Sequence, residues 1–286
     1  MDVTTHKLAV GIAATLRSPR GAETAPVIVL CHGFCGIQEV LLPAFAEFFT
    51  RAGFHTVTFD YRGFGASEGE RGRLLPSLQI QDILAVIEWV KTQPGIDKHR
   101  IGLWGTSLGG CHVFGAAAEN PDIKCIVSQL GFADGEKVVT GKMSAEEKAE
   151  FVLALDRMVE KKSATGKEMF VGITRVLKDE ESKAFFEVHR TLYPAMDIKI
   201  PFLTVRETFQ YKPGENAKYV KCPTLVVLAG QDSVNPPAQG LELYESVTAD
   251  VKRLHVEPQA RHYDIYTGAY FDRVAMIQSD WFNDNL

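Results

Sequence analysis

The sequence predicts an α/β protein, a mostly parallel central sheet flanked by helices with one helical cap inserted into it. Three observations carry that expectation. Up to about residue 131, short apolar runs alternate with amphipathic stretches, the rhythm of βα units in a parallel sheet. From 132 to 219 the texture turns helical, with no strand signal between the helical stretches. From 220 to 286 the βα rhythm returns. The expected organisation is therefore a core over 1–131 and 220–286, with a cap over 132–219 tethered at both ends. At 286 residues the chain is near the upper limit for one hydrophobic core, which suits a single domain carrying an insertion.

Each element has its own reason. Val27-Ile-Val-Leu-Cys31 is apolar throughout and mostly β-branched, as expected for a strand buried on both faces. Residues 39–52 read as a helix stopped by Gly53. Residues 55–60 are the next strand, rich in β-branched side chains. A helix over 78–90 places Ile80, Ile83, Leu84 and Ile87 on one face. A short strand over 101–104 leads into a helix over 108–118, and 123–128 form another strand. In the cap, 144–158 open on Ser144 with Glu147 three residues later, the pattern of a capping box. Further helices are expected over 168–177 and 180–190. The core resumes with a strand over 223–229, a helix over 238–246, a strand over 251–256 and a helix over 270–282.

Composition narrows the function. Asp and Glu outnumber Lys and Arg by 36 to 31, and no long basic block exists, so nucleic acid is not an expected partner. Nothing approaches the roughly eighteen apolar residues of a membrane span, and the first fourteen residues lack a secretory pattern. Five cysteines, Cys31, Cys35, Cys111, Cys125 and Cys222, sit scattered among apolar residues, as reduced thiols in a cytoplasmic protein do. Cys31, His32 and Cys35 have no second Cys/His pair at finger-like spacing, so no metal is expected. No cofactor motif is present either, and a homodimer is compatible with the chain.

The chemistry centres on Gly105-Thr-Ser-Leu-Gly109, a G-x-S-x-G between a strand and a helix. That setting is a nucleophile elbow, a sharp turn that lifts the serine hydroxyl above the sheet, with glycines where side chains would clash. Ser107 is the expected nucleophile. In the α/β-hydrolase arrangement the acid and then the base follow in the chain, each after a later strand. Gly230-Gln-Asp232 supplies the acid and Arg261-His262-Tyr263 the base. Asp134, after the preceding strand, is the weaker candidate for the acid. His32-Gly33-Phe34 closes the strand over 27–31. The amides of Phe34 and Leu108 are expected to form the oxyanion hole, with His32 a buried structural histidine. Asp60-Tyr-Arg-Gly-Phe-Gly65 reads as a rigid turn rather than an anion site.

His32-Gly33-Phe34, Asp60 to Gly65, Gly102 to Gly110, Gly230 to Asp232 and His262 to Tyr266 together resemble the landmarks of one α/β-hydrolase branch. Its microbial members are often labelled peptidase- or acetylxylan-esterase-like, and it includes hydrolases and acyl transferases acting on polyketide thioesters. The resemblance covers about residues 25–131 and 220–286, and its motifs are specific to the fold, not to a substrate. Glycine is frequent where this chain has Cys35, so the entrance near Phe34 is expected to differ. The resemblance implies a serine hydrolase of small to medium carboxylic esters or thioesters. An acyl transferase using the same residues is the alternative. A non-catalytic ligand-binding protein on the same fold is a third reading.

Overall fold

The computed structural model describes residues 1–21 and 24–286. Among the described residues, ten strands and ten α-helices follow in order: β1 (Asp2–Lys7), β2 (Ala13–Ser18), β3 (Ala25–Cys31), α1 (Leu42–Arg51), β4 (His55–Phe59), α2 (Pro76–Val90), β5 (Ile96–Thr106), α3 (Leu108–Glu119) and β6 (Ile123–Gln129). Then come α4 (Gly135–Thr140), α5 (Ala145–Thr165), β7 (Phe170–Gly172), α6 (Glu180–Leu192), β8 (Lys199–Pro201), α7 (Thr204–Gln210) and α8 (Pro213–Ala217). The chain closes with β9 (Thr224–Ala229), α9 (Pro237–Ser246), β10 (Lys252–Glu257) and α10 (Gly268–Asn285).

Eight strands form one sheet in the order β1-β2-β4-β3-β5-β6-β9-β10. β1 and β2 are antiparallel, and β2 joins β4 antiparallel; every pairing from β4 to β10 is parallel. This is the α/β-hydrolase fold. β9 is buried at all six positions, and β3 at all but Pro26, which is why both read as unbroken apolar runs. Phe45 and Phe49 of α1 and Phe282 of α10 pack with Trp104 on one face of the sheet. Ile83 and Ile87 of α2 and Val113 and Phe114 of α3 fill the other. Burial of each such side chain stabilises by about 1.5–3 kcal/mol.

The strand order decides where a site can form. β4 lies on one side of β3 and β5 on the other, so the sheet changes direction of growth there, and a crevice opens at the carboxyl ends. Cys31 of β3 pairs with Gly105 of β5, so the chains leaving those two strands run side by side.

Several elements depart from expectation. Residues 168–177 are not a helix: they form β7 and a 3-10 turn over Ile173–Arg175, and β7 pairs antiparallel with β8. A left-handed Gly166 ends α5, and the β-branched run that follows is too short to show a helical period. The segment between β6 and β9 is therefore helical with a small two-stranded sheet. α1 starts at Leu42 rather than near 39, because Leu41 takes φ 64°. β1 and β2 were not foreseen: β1 is exposed almost throughout and polar, so it carries no apolar alternation. The capping box of α5 does form, with both reciprocal bonds between Ser144 and Glu147. Among the described residues, no helix is long and apolar enough to cross a membrane.

The two ends of the segment between β6 and β9 lie side by side at one narrow neck. Gly135 N–H donates to the Tyr211 carbonyl and Gly214 N–H to the Ala133 carbonyl, both at 2.9 Å. Across the same neck, Lys212 pairs with Asp134 and with Glu136.

Candidate active site

Ser107 sits between β5 and α3 with φ 54° and ψ −121°, a conformation L-residues other than glycine rarely adopt. Its geometry is imposed from both sides. A methyl group on Gly109 would lie 2.2 Å from the Cys31 carbonyl oxygen, and one on Gly105 would lie 2.2 Å from the Gly109 carbonyl oxygen. Ser107 N–H donates to the Gln129 carbonyl of β6 at 2.8 Å. The turn is thus clamped between two strands, and the strain of order 1–3 kcal/mol is held by the surrounding fold.

The loop after β3 lies over the serine. A methyl group on Gly33 would come 3.0 Å from Ser107 Cβ and 3.6 Å from its Oγ. Among the described residues, neither Phe34 N–H nor Leu108 N–H donates to a protein acceptor, and both residues line the cavity that holds Ser107. Leu108 opens α3, whose N-terminus favours negative charge. His32 braces this loop from within: Gly33 N–H donates to its Nδ1 at 2.7 Å, and its Nε2 donates to the Val40 carbonyl at 2.8 Å. Burial pushes its pKa down to about 4, so it is neutral, with both ring nitrogens occupied. Cys35 departs from glycine yet takes φ 53°, and its thiol is buried in the core rather than lining the cavity.

The other end of the site comes from the loops after β9 and β10. His262 Nδ1 lies 2.7 Å from Asp232 Oδ2, with both side chains almost wholly buried. Asp232 Oδ1 accepts the N–H groups of Val234 and Asn235, each at 2.8 Å. The carboxylate is thus fully bonded, and the imidazole carries its proton on Nδ1, leaving Nε2 as an acceptor. His262 and Ser107 line the same cavity. Asp134 is elsewhere: it caps α4 through the Glu136 and Lys137 amides and pairs with Lys212 at the neck.

The remaining candidates serve the scaffold. Asp60 accepts from the Ala66 amide in its own turn and from the Gln38 amide in the loop after β3, and burial raises its pKa. Arg62 pairs with the buried Asp82. The five cysteines are free thiols, and the four that are fully buried have their pKa values raised by burial. No cluster of three metal-ligating side chains exists among the described residues.

Above Ser107 lies a cavity of about 490 Å³. Phe151, Val176, Leu177, Phe185 and Phe202 of the inserted segment line it together with Phe34 of the core. Sequence reasoning missed two features of the site. Tyr266 OH and Thr106 Oγ1 are 2.6 Å apart, so the loop that carries His262 is pinned to the residue before Ser107. Asn235 reaches from the loop after β9 to Ser107 Oγ, at 3.4 Å. Tyr266 closes the motif stretch that begins at His262, but the motif does not reveal its bond to Thr106, and Asn235 carries no periodic or motif signal at all.

Fold and site together define a protein of the α/β-hydrolase class. The chain belongs to that family, and the family described as alpha/beta hydrolase fold matches residues 26–269. It is 62% identical, over the full length of both, to an uncharacterised 31.7 kDa protein of the traX-finO intergenic region of Escherichia coli. It is 27% identical to the thiohydrolase aneE of Aspergillus aculeatus, covering 93% of this chain and 87% of the other. The solved structure of DcsB with its substrate analogue superimposes with a TM-score of 0.84, covering 100% and 99% of the two chains at 22% identity. The family and its named relatives support an acyl-handling function of the α/β-hydrolase type.

Proposed function

We propose that the chain is a serine hydrolase that cleaves carboxylic esters or thioesters of small to medium acyl groups. One observation carries the reading: a strained Ser107 shares a cavity with a buried Asp232–His262 pair and two unpartnered amides. Ser107 Oγ attacks the substrate carbonyl carbon while His262 Nε2 takes its proton, and Asp232 stabilises the imidazolium that forms. The amides of Phe34 and Leu108 hold the tetrahedral oxyanion, worth roughly 3 kcal/mol per donor in comparable sites. The C–O or C–S bond then breaks, and His262 returns the proton to the departing alcohol or thiol. Water attacks the acyl-Ser107 ester, with His262 again as base, and releases the acid. The apolar and aromatic walls of a cavity of about 490 Å³ suit an acyl chain of modest length. The thiohydrolase among the relatives supports including thioesters.

The test is labelling of the full chain with a fluorophosphonate, mapped by mass spectrometry, alongside turnover of ester, thioester and amide series of increasing acyl length. Labelling at Ser107 with ester or thioester turnover is expected. Neither labelling nor turnover would leave a binding protein on the same fold. Product analysis with added alcohol or amine separates hydrolysis from transfer to another acceptor.

A further inference from the structure

Asn235 contacts both partners of the imidazole. Its backbone N–H donates to Asp232 Oδ1, and its side-chain amide extends to Ser107 Oγ. The side chain is fixed, not merely near. Nδ2 donates to the Leu130 carbonyl at 2.7 Å, which settles which end of the amide is nitrogen, since the reverse would set two carbonyl oxygens against each other. Leu130, directly after β6, takes φ 56°, one of four positive-φ non-glycine residues among those described, and its N–H is held by the Val227 carbonyl of β9. Asn235 stands in a bend directly before Pro236, whose ring restricts its backbone. The residue is buried, at 7% exposure.

These contacts have a chemical consequence. A serine hydroxyl has one proton and two lone pairs, and the proton turns towards whatever acceptor is available. Asn235 Nδ2, 3.4 Å from Ser107 Oγ, can only donate to it. His262, which lines the same cavity, is the acceptor that the serine-hydrolase reading assigns to the serine proton. We propose that Asn235 is a positioning residue that donates to Ser107 Oγ, fixing its rotamer and directing its proton to His262. The proposal rests on the serine-hydrolase reading above. Asn235 Oδ1 makes no protein hydrogen bond among the described residues, which leaves Nδ2 as the group that acts.

The experiment compares wild type, Asn235→Leu and Asn235→Asp as full chains, held well below their melting temperatures. Fluorophosphonate labelling rates read serine reactivity directly, and kcat, KM and pH profiles are taken on one short-chain ester. Asn235→Leu removes the donor at similar size. It should slow labelling and kcat by about tenfold with KM within about twofold, less than the loss of an oxyanion donor because the bond is long. Asn235→Asp replaces the donor with an acceptor that competes for the serine proton. It should slow both by about a hundredfold at neutral pH, and its optimum should move to lower pH, where the protonated carboxyl donates again. Wild-type labelling rates in both variants would overturn the proposal. So would equal losses in the two with an unshifted pH profile, which would mark Asn235 as a structural wall. If wild type itself is not labelled at Ser107, the serine-hydrolase reading fails, and the role of Asn235 falls with it.

Discussion

Replacing Asp232 with Asn tests the site at its most constrained point. The carboxylate has two distinct sides: Oδ1 faces the amides of Val234 and Asn235, and Oδ2 faces His262 Nδ1 at 2.7 Å. An asparagine there must aim its one oxygen somewhere. Two backbone donors outweigh one ring nitrogen, so the oxygen turns to the amides and the NH2 turns to the imidazole. His262 Nδ1 then becomes the acceptor, the ring proton moves to Nε2, and the histidine cannot take the serine proton. In a comparable triad the wrong tautomer costs about 10⁴ in turnover, roughly 5.5 kcal/mol. Asp134→Asn is the matched control. It loses a pair with Lys212 that is partly exposed, but keeps the cap of α4, because Asn caps as well as Asp. Its turnover should fall less than about tenfold. Steady-state kinetics on a short-chain ester at neutral pH, with circular dichroism melts, compare the two. A crippled Asp134→Asn, or an Asp232→Asn within tenfold of wild type, refutes the reasoning.

Three further outcomes are expected. Ser107→Gly should abolish turnover while raising the melting temperature by about 2 °C, since it relieves roughly 1 kcal/mol of strain at φ 54°; a lower melting temperature contradicts the strain. Gly33→Ala should slow fluorophosphonate labelling about a hundredfold, because its methyl would press on Ser107 Cβ at 3.0 Å and displace the Phe34 amide; labelling at the wild-type rate contradicts this. Acid should destabilise the fold through two buried histidines, His32 and His112, whose pKa values burial pushes from 6.5 to about 4 and about 3. The unfolded chain takes up those protons near pH 6.5 and the folded chain does not. Stability is therefore full above that pH and is lost as the pH falls towards 4. A melting temperature that stays flat from pH 7 to pH 4.5 excludes this.

The legible parts of the sequence were those where physics allows few alternatives. A double glycine around Ser107 is needed because carbonyl oxygens lie 2.2 Å from where side chains would begin, and such a need writes itself into the chain as a motif. Buried parallel strands such as β9 must be apolar at every position, so they too stand out. Asp232 and His262 could be singled out by strand order, which places both at the end of the sheet that holds Ser107. Polar edge strand β1 and three-residue strand β7 obey no such demand, and their residues would suit a loop equally well. Asn235 was invisible for another reason. Its contacts run to Leu130 and Ser107, both more than a hundred residues earlier, and only folding brings them together.

The neck of the inserted segment bears on how such proteins diversify. Ala133, Asp134 and Gly135 on the outgoing strand of chain are bonded directly to Tyr211, Lys212 and Gly214 on the returning one. A segment whose ends are already joined can be lengthened, shortened or exchanged without pulling on the sheet it leaves. The residues proposed for acyl chemistry lie outside that closed loop, on the ends of β3, β5, β9 and β10. Much of the cavity wall, including Phe151 and Phe185, lies inside it. Under the proposed function, reactivity and selectivity would be carried on separately replaceable stretches of chain, so one could drift under selection while the other stays fixed.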